Sequence, residues 1–190
     1  TNSGYFQDHN HQLNLISKLT ATHSTLILDN SSTCNFKKNS KGPSIVTKGF
    51  KTFDNEVTYE KNYWGIKCSH DGYLSEYGVI HQRSIEFDTN KFTLFGKEKL
   101  IKKNNFKATN FEIRFHLLPN IKVTKLQDNK SVLIELENSG WRFFSKDGLI
   151  GVETGLYFGD KNKYIENQNI FISGITQNNE QLIEWQISKI

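Results

Sequence analysis

The sequence predicts an all-β protein, an antiparallel sandwich of many short strands. Three observations carry this prediction. Short runs alternate apolar and polar residues, which is the period of a strand with one buried face. Asn-Lys, Asp-Asn and Gly clusters punctuate these runs at short intervals, and no window sustains a helical period. Aromatic residues reach 13%, with 14 Phe, against a hydrophobic content of only 36%, so the core is expected to consist of large aromatic side chains inside a polar exterior.

Taken in order, residues 1–12 read as an entering strand and loop. Strands are then expected at 13–19, 24–29, 44–50, 57–61, 63–69, 79–88 and 91–95. They continue at 111–117, 121–127, 131–137, 141–144, 151–158, 168–175 and 182–188. Thr, Leu and Ile dominate the run from Ser24 to Leu28, and such side chains pack well on a pleated, half-buried surface. Segment 95–101 is the ambiguous one, because its Lys, Glu and Leu also tolerate a helical turn. Asp128-Asn129 and Ser139-Gly140 read as tight hairpin turns. In 131–137, Val132, Ile134 and Leu136 face one way while Leu133 and the two Glu face the other. Near the end, Ile183, Trp185 and Ile187 form a core stripe, so Trp185 is read as a core residue and not as a sugar platform.

A length of 190 residues suits one large β domain spanning 1–190, without an internal repeat or linker, able to bury its core without disulfides. The net charge of +4 is spread along the chain, apart from Lys37-Lys38 and Lys102-Lys103. Nucleic acid is therefore not an expected partner, since it calls for a concentrated basic face, whereas an acidic polysaccharide is compatible. Cys34 and Cys68 are too far apart for a metal knuckle and too few for a disulfide scaffold; they pair only if the fold brings them together. There is neither a leader pattern nor an apolar run long enough to span a membrane. Met is absent, at position 1 as elsewhere, which leads us to expect a processed or cut piece of a longer protein.

Several residues could carry chemistry. His9 and His11 project from one face of an extended segment and could reach one ion, although the polar stretch around them reads as an exposed loop. His23 stands at the entrance of a strand, where an imidazole either points into a site or is hydrogen-bonded at a sheet rim. Ser24 beside it would face the opposite way, so the two do not make a nucleophile and base, and no Gly-x-Ser-x-Gly elbow occurs. His70-Asp71-Gly72-Tyr73 reads as a turn in which Gly72 supplies a positive φ. His70 and Tyr73 there either fix a loop or face a ligand. His81 and Arg83, two apart in one strand, share a face; Arg83 either binds a ligand carboxylate or pairs with an acid across the sheet. His116 reads as a strand-end histidine.

The run Thr20-Ala21-Thr22-His23-Ser24-Thr25-Leu26 resembles the arginine-threonine-alanine-alanine-histidine-(serine or asparagine)-threonine-leucine segment of heparinase II/III-like polysaccharide lyases. Further matches fall in the family's order: Thr1-Asn2-Ser3-Gly4, His70-Asp71-Gly72-Tyr73, His81-Gln82-Arg83, Arg114-Phe115-His116-Leu117-Leu118-Pro119 and Gly151-Val152-Glu153-Thr154-Gly155-Leu156-Tyr157-Phe158-Gly159. The resemblance implies the C-terminal β-sandwich domain of such a lyase, of the super-sandwich type, cut from a chain whose N-terminal (α/α) toroid is missing. It implies a periplasmic or secreted parent that cleaves uronic-acid-containing polysaccharide by β-elimination, with the proton-moving Tyr and His mainly on the toroid and this piece inactive alone. His70, Tyr73, His81 and Arg83 would then contribute to substrate binding. His23 matches a metal ligand of the family, and Asn2 stands where the family often has a metal-binding Asp. Asn is a weaker ligand for zinc, and the family's earlier histidine-x-histidine-x-x-aspartate strand has no counterpart here, so a zinc site in this chain is expected to be incomplete. The alternative is a carbohydrate-binding or scaffolding sandwich without a catalytic role.

Overall fold

The computed structural model describes residues 2–39, 42–103, 107–161 and 163–190. Thr1, the first residue of the Thr1-Asn2-Ser3-Gly4 match, lies outside them. Fourteen strands make up the described chain: β1 Leu26–Leu28, β2 Asn35–Asn39, β3 Gly42–Lys48, β4 Thr52–Glu60, β5 Tyr63–Tyr73, β6 Val79–Asp88 and β7 Thr93–Lys102. After them come β8 Asn110–His116, β9 Lys122–Lys125, β10 Ser131–Leu136, β11 Ser139–Ser145, β12 Leu149–Tyr157, β13 Ile165–Ile175 and β14 Glu180–Lys189. Of two short helices, α1 Gln12–Ile16 precedes β1 and α2 Leu74–Tyr77 lies between β5 and β6.

An eight-stranded sheet runs β4-β5-β6-β7-β14-β11-β10-β9, facing a four-stranded sheet in the order β1-β8-β13-β12; β2 and β3 pair as a separate ribbon. All pairings are antiparallel. Alternation decides which side chains meet between the sheets. Phe111, Ile113 and Phe115 of β8 join Leu26 and Leu28 of β1 and Ile170 and Ile172 of β13. The large sheet answers with Val79, Leu100, Val132, Phe143, Ile183 and Trp185. The expected core of large aromatic side chains is present only in part: Phe115 lies edge-on to Phe143 and Trp185, with centroids 4.7 and 4.8 Å away, but most buried core residues among the described ones are Leu, Ile and Val. Trp185 is thus a core residue. It lies directly opposite Gly96 and closes over it: a Cβ there would stand 2.0 Å from the indole.

Beyond the small sheet the same face of the large one continues. Val57 and Tyr59 of β4 lie opposite Ile66 and Trp64 of β5, and remain 80% and 84% exposed.

Several expectations need correction. Residues 1–12 form no strand in their described part, although Ser3 bonds Thr22 on one side and Phe158 on the other. Segment 13–19 is not a strand: its first part is α1, capped by the His11 side chain, which accepts from Leu13 N–H. The reason is Asn14, which is fully buried and donates its amide to the Phe6 carbonyl. The ambiguous 95–101 belongs to β7. The hairpin turn placed at Ser139-Gly140 falls two residues earlier, at Glu137 and Asn138. His70-Asp71-Gly72-Tyr73 is no turn but the end of β5, with a bulge opposite β6. Gly72 is not a positive-φ residue; it is needed because Thr33 Cβ lies 2.8 Å from where its own Cβ would be. Strand β2 and helix α2 had no clear sequence signal, since β2 is Asn-Phe-Lys-Lys-Asn and α2 is a single turn closed by left-handed Gly78 (φ 64°).

Candidate functional site

A cleft of about 350 Å³ opens where the segment before β1 meets β2 and the bulged end of β5. Lys18, Thr20, His23, Phe36, Phe50 and His70 are among its walls. A larger groove of about 470 Å³ lies along β1, β8 and β13, beside Asp29, Asn110 and Glu112, but among the described residues no imidazole or cation lines it.

His23 follows the 3₁₀ turn Thr20–Thr22 in extended conformation, with its N–H on the Thr20 carbonyl. The neighbouring Ser24 is held on every side. Its N–H donates to Asn2 Oδ1 (3.0 Å), its Oγ accepts from His116 N–H (3.0 Å), and its carbonyl accepts from Arg83 Nη1. The structure therefore ties Asn2 to the backbone of Ser24, the residue after His23, and not to the His23 ring. Burial pulls the His23 pKa below its ordinary 6.5, so the ring is neutral at pH 7. Among the described residues, the other five histidines have side-chain hydrogen bonds and the His23 imidazole has none. It is the available one.

His116 is the clamp beneath. Its Nε2 lies 3.0 Å from the Ala21 carbonyl, which can only accept, so Nε2 carries the proton and Nδ1 accepts from Ser3 Oγ (2.9 Å). Burial lowers its pKa to about 4, which keeps this tautomer neutral.

Behind the cleft runs a relay whose proton positions follow from its first bond. Gly72 N–H donates to His70 Nδ1 (3.2 Å), so the His70 proton sits on Nε2 and donates to His81 Nδ1 (2.9 Å). The His81 proton is then on Nε2 and donates to Glu98 Oε2 (2.6 Å). Arg83 Nε (2.7 Å) and Trp185 Nε1 (3.2 Å) donate to Glu98 Oε1. Burial pushes the Glu98 carboxyl up, but the Arg83 charge and the bonds from His81 and Arg83 outweigh it and hold the pKa at about 2. For His70, burial first and His81 second lower the pKa to about 4.

Each expected site residue can now be placed. His81 and Arg83 do share a face, but Glu98 occupies it: Arg83 is ion-paired there and His81 is 1% exposed. Tyr73 is buried and donates its hydroxyl to the Leu26 carbonyl (2.8 Å). His70 does line the cleft, though both of its nitrogens are engaged, so it offers a ring, stacked at a tilt on Phe50 (4.9 Å). His9 and His11 do not converge on an ion: His11 caps α1, and His9 lies 3.4 Å from the Asn14 amide. Cys34 and Cys68 are free thiols. Asn2 Oδ1 accepts from Ser24 N–H, and among the described residues no three His, Cys, Asp or Glu converge in a way that could hold a metal ion.

Sequence reasoning missed Glu98, Lys18, Phe36 and Phe50. Glu98 had a signal: in a strand, Gly96, Glu98 and Leu100 fall on one face, and an acid between two core positions asks for buried partners.

An all-β sandwich with one unpartnered imidazole in a cleft is the class of domain that this geometry defines. The chain matches the family model "Heparinase II/III-like, C-terminal" over residues 1–186 and belongs to that family. In structure it is similar to a mutant of the heparan sulfate lyase HepC from Pedobacter heparinus (TM-score 0.76, 17% identity), covering 99% of this chain and 28% of that one. The unmutated HepC gives a TM-score of 0.74 at 17% identity, with 98% and 27% covered. A heparinase III gives 0.64 at 15% identity, with 99% and 26% covered. These likenesses show the sandwich fold; the chain spans roughly a quarter of those lyases' length. No curated protein matches it in sequence. No helix of the described residues is long and apolar enough to cross a membrane.

Proposed function

We propose that this chain is the C-terminal domain of a polysaccharide lyase acting by β-elimination on a uronic-acid-containing chain, and that it forms one wall of the substrate cleft. The observation that carries this reading is His23, half-buried in the cleft, fixed in its backbone and without a hydrogen-bond partner among the described residues. β-Elimination needs the uronate carboxylate neutralised, the C5 proton removed and the leaving oxygen protonated. A neutral imidazole at pH 7 can accept or donate a hydrogen bond at that position. The remaining proton transfers fall to a separate N-terminal helical domain, which the length of the structurally similar lyases supports. On this reading His70 contributes a wall, while His81, Arg83 and Tyr73 hold the wall from behind. Any zinc in the longer protein draws ligands from outside this chain, and the protein works in the periplasm or outside the cell.

A second reading, a carbohydrate-binding or scaffolding sandwich, draws on the internal pairing of His81, Arg83 and Tyr73. The two readings separate in one assay. Lyase activity of the longer protein is followed by ultraviolet absorbance of the unsaturated product across uronate polysaccharides, beside this chain alone and the longer protein carrying His23→Ala. Activity that the mutant loses and the isolated chain lacks supports the lyase domain. Inactivity on every substrate, with and without added zinc, supports the second reading.

A further inference from the structure

We infer that Lys18 is the anion-recognising residue of the His23 cleft, which takes an acidic pyranose by pairing its carboxylate or sulfate with the Lys18 ammonium and its ring with Phe36 and Phe50. This deepens the reading of the cleft as a wall for acidic polysaccharide and rests on it. Lys18 is the one cation in the cleft's described lining, and no carboxylate lines it. His23, neutral at pH 7, cannot supply that charge. Nor does Lys18 form an ion pair among the described residues, unlike Arg83, Arg114 and Arg142.

Its ammonium is nevertheless held in place. Nζ donates to Asn14 Oδ1 (2.8 Å) and lies 5.5 Å and 5.9 Å from the ring centres of Tyr5 and Phe36. Asn14 is fully buried, and its NH₂ is committed to the Phe6 carbonyl (2.6 Å) and the Tyr5 hydroxyl (2.9 Å), so its oxygen must face Lys18. A long, flexible side chain is thus ordered by a buried amide before any ligand arrives, which lowers the entropy lost on binding. Phe50, 42% exposed, stands with Phe36 as an apolar surface in the same cleft, suited to the C–H face of a sugar ring.

The test titrates the 190-residue chain with a heparan sulfate tetrasaccharide by calorimetry, comparing Lys18→Gln, Lys18→Arg and, as a control of equal charge loss, Lys122→Gln. A charge-assisted hydrogen bond predicts that Lys18→Gln weakens binding about 10- to 100-fold, while Lys18→Arg and Lys122→Gln stay near the parent. N-desulfated, O-desulfated and carboxyl-reduced tetrasaccharides tell which anion is read: the one whose loss abolishes the Lys18 effect. Equal affinity in Lys18→Gln and the parent, or equal loss in Lys122→Gln, overturns the inference. So does a carboxyl-reduced, fully desulfated sugar that binds as tightly as the acidic one. Thermal unfolding of each variant checks the fold; if Lys18→Gln is unfolded, Phe50→Ala must weaken binding while keeping its salt dependence, and unchanged affinity there overturns the inference. Failure of the lyase reading looks different, since an inactive longer protein leaves the Lys18 effect on binding intact.

Discussion

Replacing Glu98 by Gln tests the relay behind the cleft at its least replaceable point. Every group around this buried carboxylate is a donor: Arg83 and Trp185 on Oε1, His81 on Oε2. A glutamine must turn its NH₂ toward one of them. If it faces Arg83, two donors meet beside an uncompensated buried charge. Facing His81, it forces that ring to accept at Nε2 and move its proton to Nδ1. His70 must then accept at Nε2 and carry a proton on Nδ1, which collides with Gly72 N–H. No tautomer repairs the chain. Removing one partner of a buried ion pair is worth about 3–5 kcal/mol. Independently, moving a carboxyl from 4.5 to about 2 is worth about 3 kcal/mol. For a domain of this size that predicts a melting point about 6–20 °C lower at pH 7.

The sign of the acid dependence follows. A carboxyl whose folded pKa lies below its unfolded value stabilises above about pH 4.5, and this contribution is lost as pH falls toward 2. The parent should therefore lose stability over that window, and Glu98→Gln should lack that portion of the loss. Urea unfolding of both proteins at pH 7, 5, 4 and 3 measures it. Equal midpoints at pH 7, or parallel curves down to pH 3, would refute the relay as described.

Two further outcomes follow from the same packing. Tyr73→Phe strands the buried Leu26 carbonyl and should destabilise by about 1–3 kcal/mol in urea unfolding; a loss under about half a kcal/mol would show that the hydroxyl is not the carbonyl's partner. His116 and His70, both held near pKa about 4, resist protonation in the folded state but titrate near 6.5 when unfolded. Their contribution is complete above pH 6.5 and lost as pH falls to 4, so stability should already decline between pH 6.5 and 4.5, above the carboxylate window. Constant stability over that range, or His70 or His116 resonances titrating near 6.5 in the folded protein, would contradict the neutral tautomers of these two rings.

What the sequence by itself determined is the fold class and most strands. The hydrophobic alternation in β6, β8, β10, β13 and β14 is local, because each side chain's face is set by its position along its own strand. His23 could be singled out for a similar reason, because its run is contiguous, and the structure places it in the wall of the cleft. Local signals failed where a distant group decides the outcome. Helix α1 replaces an expected strand because buried Asn14 must satisfy the Phe6 carbonyl, and the end of β5 replaces an expected turn because Gly72 must admit Thr33. Only tertiary structure decided the site's contents. His81 and Arg83 could be read as free cationic groups until β7 laid Glu98 beside them, 17 and 15 residues away, and β14 added Trp185. Lys18 became the cleft's cation only because Asn14 is buried and the ribbon of β2 brings Phe36 over it. Periodicity tells which way a side chain points; strand order tells what it meets there, and strand order is fixed by long-range pairing that no short stretch of sequence encodes.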